Sequence, residues 1–418
     1  MPPFPARRPV YYGWVMLVLA AAAMAGTLPG RTIGLETITE PILADPRLGL
    51  TADDLSWLNF WAVVLGAVLC LPVGWLIDRV GVRLVLAGVA AGLGLSALWL
   101  TAAADQRTFF LALLLVRGLG QGALSVVALA MVGKWFTRRL GVAMGVFTVL
   151  LTFGIIGGYT GLKEAVAASG WRPAWQGLGW VLLAGLAPLG LLLARSTPET
   201  IGLPADAPTD PADEARPALD LPWRTALGSS AFWVFTLTAA LFNLMLSAIT
   251  LFAERLLTAR GFPAEGKTQA IELMLGVMTF AGLPTNLLGG WLAGRVALGR
   301  LMAVGMAALA GALLVFPFVA DVGSAAGFGA LLGVSGGLVT VVFFAVYGTG
   351  YGRTNLGVIQ SAAQVVTVLA SAVGPVLLTR TERTFGSFDP LFFVAGAVAL
   401  GLTIASWRTK LPDRGKQP

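Results

Sequence analysis

Two stretches decide how this chain is built: Gly74-Trp75-Leu76-Ile77-Asp78-Arg79-Val80 and Gly290-Trp291-Leu292-Ala293-Gly294-Arg295-Val296. They lie 216 residues apart (290 against 74) in a chain of 418 residues, so the offset is close to half its length. Each follows an apolar run long enough to cross a bilayer, which takes roughly 20 residues. A repeated turn after a repeated span points to an internally duplicated helical membrane protein.

Composition supports this. The chain is 57% hydrophobic and 12% charged, with a mean hydropathy of +0.82. A soluble domain carries about a quarter charged residues, so this surface belongs in lipid. Apolar runs fall near 13–43, 55–78, 84–103, 108–133, 140–166 and 174–195, then near 229–256, 269–293, 299–320, 323–349, 355–380 and 388–408. Between the sixes, residues 195–229 are polar, with six prolines among six acids, and read as a mostly unstructured linker. The expected organisation is an all-α membrane protein: a six-helix bundle over 1–195, a linker over 196–228 and a second bundle over 229–418.

The net charge of +7 is topological. Seventeen of the 28 Lys and Arg fall on the side holding the linker and both termini, nine on the other and two inside spans. The positive-inside rule then expects that side to be cytoplasmic. No basic run with interleaved aromatics appears, so nucleic acid is not an expected partner. The chain has no histidine and one cysteine, Cys70. His–metal sites, His-assisted nucleophiles and Cys clusters are excluded together, and no cofactor or metal is expected. Gly154-Ile155-Ile156-Gly157-Gly158 lacks a Walker lysine and is read as helix packing rather than a phosphate loop. No ATP-binding segment is therefore expected.

The sequence Gly74 to Arg83, with Asp78, Arg79, Gly81 and Arg83, resembles the G-x-x-x-D-R-x-G-x-R motif of the major facilitator superfamily. In that family the motif latches the two halves on the cytoplasmic side. Here Gly294 replaces the acid in the second copy, so the latch should be asymmetric. Arg117-Gly118-Leu119-Gly120-Gln121-Gly122 resembles the family's fourth-span motif, shifted by one residue. Tyr11-Tyr12-Gly13-Trp14, Gly170-Trp171-Arg172, Pro198-Glu199-Thr200 and Tyr351-Gly352-Arg353 resemble the oxalate:formate antiporter and monocarboxylate-porter branch. That resemblance implies the major facilitator fold, with twelve transmembrane helices, and alternating access.

Pro29-Gly30-Arg31-Thr32-Ile33 resembles the Pro-Lys-Ser-Ile stretch of monocarboxylate porters, where the lysine serves substrate and proton. Span eight lacks the Asp/Arg pair of those porters, and span eleven lacks the basic group of oxalate antiporters. The substrate expected on these grounds is a small organic anion, a carboxylate. A drug-like or inorganic anion is the alternative within transport, and a membrane sensor or membrane enzyme the alternative outside it.

Polar residues spaced by helical turns mark the expected path: Arg117 and Gln121 in span four, Asn243 in span seven, Asn286 in span eight, Gln360 and Gln364 in span eleven, with Tyr347 at the end of span ten. The same residue types also bond helices together, and Arg117 reads equally as a structural bridge. Arg31 is the expected anchor for the anion. Along a regular helix Arg31 would lie roughly 28 Å from Tyr12 at 1.5 Å per residue, in the outer half of the membrane, and Glu36, five positions on, would lie about 140° around from it, so the two would not pair. Glu36 is the candidate for proton coupling, against a structural ion pair; Glu272 is a weaker one. Counter-anion exchange is the other coupling considered. A monomer in a bacterial inner membrane is expected.

Overall fold

The computed structural model describes residues 11–203, 206 and 220–412. Among them the chain is helical without strands. Eleven helices are long and apolar enough to cross a membrane. They are Ala52–Val80, Val82–Ala102, Gln106–Trp135, Leu140–Ser169, Trp171–Leu193, Ser230–Leu251, Gly266–Ala293, Leu298–Phe318, Val322–Tyr351, Leu356–Phe385 and Asp389–Arg408. They are numbered here as spans two to twelve.

The first span is the exception. Gly13–Ala25 is followed by a 3-10 turn over Leu28–Gly30, then short helices Thr32–Glu36 and Thr39–Leu43. Two features stop the first helix. Thr27 turns its hydroxyl back to the Met24 carbonyl at 2.6 Å, and Pro29 has no N–H to continue the ladder. Arg31 then adopts an extended backbone (φ −93, ψ 158). The expectation of one regular helix through 13–43 is therefore corrected, and with it the helical-wheel relation of Arg31 to Glu36.

Local signals set the other boundaries. Thr51 and Asp54 form a capping box that starts span two. Asp321 and Ser324 do the same for span ten. Gly81 has φ +94 in the one-residue turn between spans two and three, a conformation costly for any side chain.

Two apolar cores result. One draws on residues from Met16 to Ala194, joined by Ala345. The other draws on Ala226 to Ala399. A small patch of Val63, Ala67 and Val368 joins spans two and eleven between them. The mostly unstructured reading of the linker falls largely outside the described residues. Its described ends are ordered, with a 3-10 turn at Pro198–Ile201 and a helix at Trp223–Gly228.

Candidate functional site

The seams between the halves are built on glycine. Gly74 of span two lies against Gly357 of span eleven, and a Cβ on either would strike the other's carbonyl. In the related seam a Cβ on Gly290 of span eight would lie 2.6 Å from the carbonyl oxygen of Gly141 in span five. The repeat relation carries 74 onto 290 and 141 onto 357, so the two seams are copies. Backbones can meet this closely only without side chains.

On the first seam, Asp78 closes the linker side. Its carboxylate accepts from the backbone N–H groups of Gly357 (3.0 Å) and Val358 (2.9 Å) and pairs with Lys134 at 2.8 Å. A carboxylate at a helix N-terminus meets unsatisfied N–H groups and the positive end of the dipole. Lys134 Nζ also donates to the Arg353 carbonyl, and Arg353 Nη1 donates to the Lys134 carbonyl, each at 3.0 Å. Arg353 Nη2 reaches Glu199 at 2.9 Å. Burial pushes the Glu199 carboxyl up, but its hydrogen bonds, including that from Arg353, outweigh burial and hold it below the usual range. The latch thus spans both halves and the segment after span six.

The second seam has no acid at Gly294. Asp206 of the linker instead accepts from the N–H groups of Thr137 (2.9 Å) and Arg139 (2.7 Å), at the start of span five. The remaining motif residues are structural. Arg79 stacks on Trp75 at 4.9 Å from the ring centroid, as Arg295 stacks on Trp291 at 3.8 Å. Arg83 Nε donates to the Leu191 carbonyl at 2.6 Å.

Near the middle of the membrane the broken first span meets span four. Gly118–Leu124 is a π-helical segment, and its glycines serve two neighbours. A Cβ on Gly120 would lie 2.8 Å from Gly30 Cα, one on Gly118 3.0 Å from Gly66 Cα, and one on Gly122 2.7 Å from Cys70 Sγ. Gly66 and Gly120 are at the midpoints of their spans, so Arg31, next to Gly30, sits near the midplane. The expected outer-half position is corrected: Gly30 packs against the midpoint of span four rather than near its outer end.

Arg31 is half-buried. Its Nε donates to Thr27 Oγ1 at 2.7 Å and its Nη2 approaches Met24 Sδ at 3.4 Å; no carboxylate pairs with it among the described residues. Arg117 is 2% exposed and donates through Nη1 to the Gly30 carbonyl at 2.9 Å. Its Nε and Nη2 are buried without hydrogen-bond partners among the described residues, as are Gln121 Oε1, Asn286 Oδ1 and Gln360 Nε2. Gln364 is half-buried on span eleven. Asn243 spends its amide on the Ala239 carbonyl of its own helix at 2.8 Å. Tyr347 is fully buried in the second core, its hydroxyl 2.8 Å from Thr236 Oγ1. Glu36 is exposed and lies near the Tyr159 hydroxyl.

Sequence reasoning missed Asn59, whose buried Oδ1 is also unpartnered, and Thr27, which steadies Arg31. It also missed Lys134, Arg353 and Glu199 as one network. Asn59 had a signal, as an amide inside an otherwise apolar span; the network had none, because its members are far apart in the chain.

Two bundles of six spans, repeated seams and a charge latch on one side define a membrane transporter of the two-repeat type. The family model described as Major Facilitator Superfamily matches residues 9–375, and the chain belongs to that family, whose members are transporters rather than enzymes. It is 29% identical over 415 residues to the human protein named monocarboxylate transporter 11, covering 93% of this chain and 81% of that one. Its fold is similar to the crystal structure of the human organic anion transporter MFSD10 (TETRAN), with a TM-score of 0.63 at 18% identity, over 94% of this chain and 97% of that one.

Proposed function

We propose that the chain is a secondary transporter of a small organic anion, a carboxylate, working by alternating access between bundles 1–195 and 229–418. The carrying observation is Arg31: a guanidinium near the midplane whose only described partners are a neutral hydroxyl and a thioether. An intramembrane charge is costly unless it meets water, a counter-charge or substrate, and a guanidinium matches a carboxylate in bidentate geometry. Arg117, with two buried nitrogens unmatched, assists or fixes the site through the Gly30 carbonyl. Gln121, Asn286, Gln360 and Gln364 supply neutral polar contacts. The printed names of two similar proteins, a monocarboxylate transporter and an organic anion transporter, point the same way.

The linker side is cytoplasmic on the charge count, which makes the latched state outward-facing. The membrane is the bacterial inner membrane and the working unit a monomer. Glu36, exposed beside Tyr159, is the candidate for carrying a coupled proton; exchange against a second anion is the other coupling.

Flux into proteoliposomes, read against a pooled set of mono- and dicarboxylates together with drug-like and inorganic anions, with and without a pH gradient, tests the reading. Saturable uptake of one carboxylate supports it. Uptake of only drug-like or inorganic anions would replace the substrate class and leave the transporter standing.

A further inference from the structure

Spans five and eight are helices of 30 residues each, Leu140–Ser169 and Ala264–Ala293. They touch at the linker end, where a Cβ on Gly290 would lie 2.9 Å from Gly145 Cα. Their pairing is antiparallel, since Gly141 meets Ala293 and Gly290 while Gly145 meets Gly290 and Asn286. Eighteen residues on from Gly145 is Lys163; eighteen back from Gly290 is Glu272. Eighteen residues make about five whole turns, or roughly 27 Å of rise. Each side chain therefore lies on the same helix face as its glycine and at the same height above the contact. Both are exposed, and neither is ion-paired among the described residues.

We infer that Lys163 and Glu272 form a far-side lock, pairing across the two halves when the far ends of spans five and eight close. This rests on the alternating-access reading. Toward the far end of span eight nothing lies within 4 Å of a Cβ placed on Gly276, and Tyr159, Thr160, Lys163, Glu164 and Ala167 of span five line an open pocket. Pro284 interrupts span eight between its contact glycine and Glu272, removing one ladder hydrogen bond where the helix can bend. The one nearby basic group on span eight, Lys267, is already paired with Glu254 at 2.9 Å. On the face toward span five, Glu272 is thus left unpaired among the described residues. The lock is the counterpart of the Asp78–Lys134 latch, on the opposite membrane face and on the other seam.

The test places cysteines one turn beyond the pair, Ala167→Cys with Thr268→Cys, in a Cys70→Ala background that keeps both charges. Disulfide formation should be slow with the latch intact and about tenfold faster when Asp78→Asn is added. Adding Lys163→Glu should reduce that rate about two- to fivefold, the range of a partly solvated ion pair, and the reversal Lys163→Glu with Glu272→Lys should restore it. Unchanged cross-linking in Lys163→Glu overturns the lock while the far ends still close. A separate Ser361→Cys variant reports opening of the linker side by thiol labelling. Labelling there without far-side cross-linking overturns the lock and leaves alternation intact; neither signal overturns both.

Discussion

Asp78 and Gly357, 279 positions apart in the chain, are joined by a 3.0 Å hydrogen bond from the Gly357 N–H to the Asp78 carboxylate. The contact ties the turn after span two to the N-terminus of span eleven. Asp78→Asn removes the charge that Lys134 meets and one backbone acceptor. Side chains 7% and 12% exposed are desolvated enough for that loss to be felt. The conformational equilibrium should move roughly tenfold toward linker-side opening, since about 1.4 kcal/mol is a factor of ten. Thiol labelling of Ser361→Cys, buried under Gly74, should rise accordingly while expression holds. Unaltered labelling would show that Asp78 does not govern the state.

Glycine packing at the midplane gives a sharper structural prediction. A Cβ on Gly30 would lie 2.6 Å from the Gln121 nitrogen and 2.7 Å from Gly120 Cα, both backbone atoms. Gly30→Ala should therefore displace span one from span four and lower detergent-solubilised melting by several degrees, as overpacking costs about 1–3 kcal/mol. Gly157→Ala, with nothing within 4 Å, should be neutral or slightly stabilising. Equal melting of the two variants would refute the close approach.

The far-side ends of the two bundles carry the same ion pair with its charges exchanged. Arg172, opening span six, pairs with Asp45 at 2.8 Å and donates to the Ala103 carbonyl at 3.0 Å and to the Thr101 carbonyl. In the second half the arginine is Arg260, before span eight, and the acid Asp389, opening span twelve; Arg260 also reaches the Pro317 carbonyl. Each arginine thus binds the end of the third helix of its own repeat. Arg172→Ala should cost about 1–3 kcal/mol, between an exposed and a buried pair. The exchange Asp45→Arg with Arg172→Asp should recover over half of the loss from either single reversal. Melting curves check both, and a double variant no better than the singles would reject the exchange.

The same pair sets an acid dependence. Burial pushes the Asp45 carboxyl up, but the hydrogen bonds from Arg172 and the Arg47 N–H outweigh it and hold the group below the usual carboxylate range. A depressed pKa contributes stability above the unfolded value of about 3.9, lost as pH falls through the lower folded value. The melting difference between wild type and Asp45→Asn should be flat from pH 5 to 8 and shrink only below about pH 4. A difference already shrinking at pH 6 would mean that the carboxyl is not depressed.

Twelve crossings, the duplication and the Asp78 turn were legible in the sequence because each is written locally, in apolar runs and a short motif. The break in span one was less so. Pro29 and Gly30 were visible, but a proline in an apolar run kinks some helices and ends others, and the difference lies in the fit of Gly30 against Gly120. The polar residues of the path were found as a stripe, yet a stripe does not say which side chains spend themselves locally. Asn243 bonds its own helix and Tyr347 turns into the core, while Arg117 Nε and Nη2 and Gln360 Nε2 stay buried without hydrogen-bond partners among the described residues. Asp206 and Glu199 looked like linker charge; only the folded chain brings them to the span-five N-terminus and to Arg353.

The most direct measurement is anion binding by Arg31→Gln and Arg31→Lys beside wild type, read as the thermal shift produced by the carboxylate that the flux screen identifies, on monodisperse detergent-solubilised protein. The account predicts that the shift disappears in Gln, equivalent to a loss of affinity of at least about tenfold, as the lost charge-assisted hydrogen bonds are worth about 1.5–3 kcal/mol. It predicts a partial shift in Lys, which keeps the charge without the planar fork, with both variants folded like wild type. Shifts equal to wild type in both variants would contradict it and make Arg31 a structural residue.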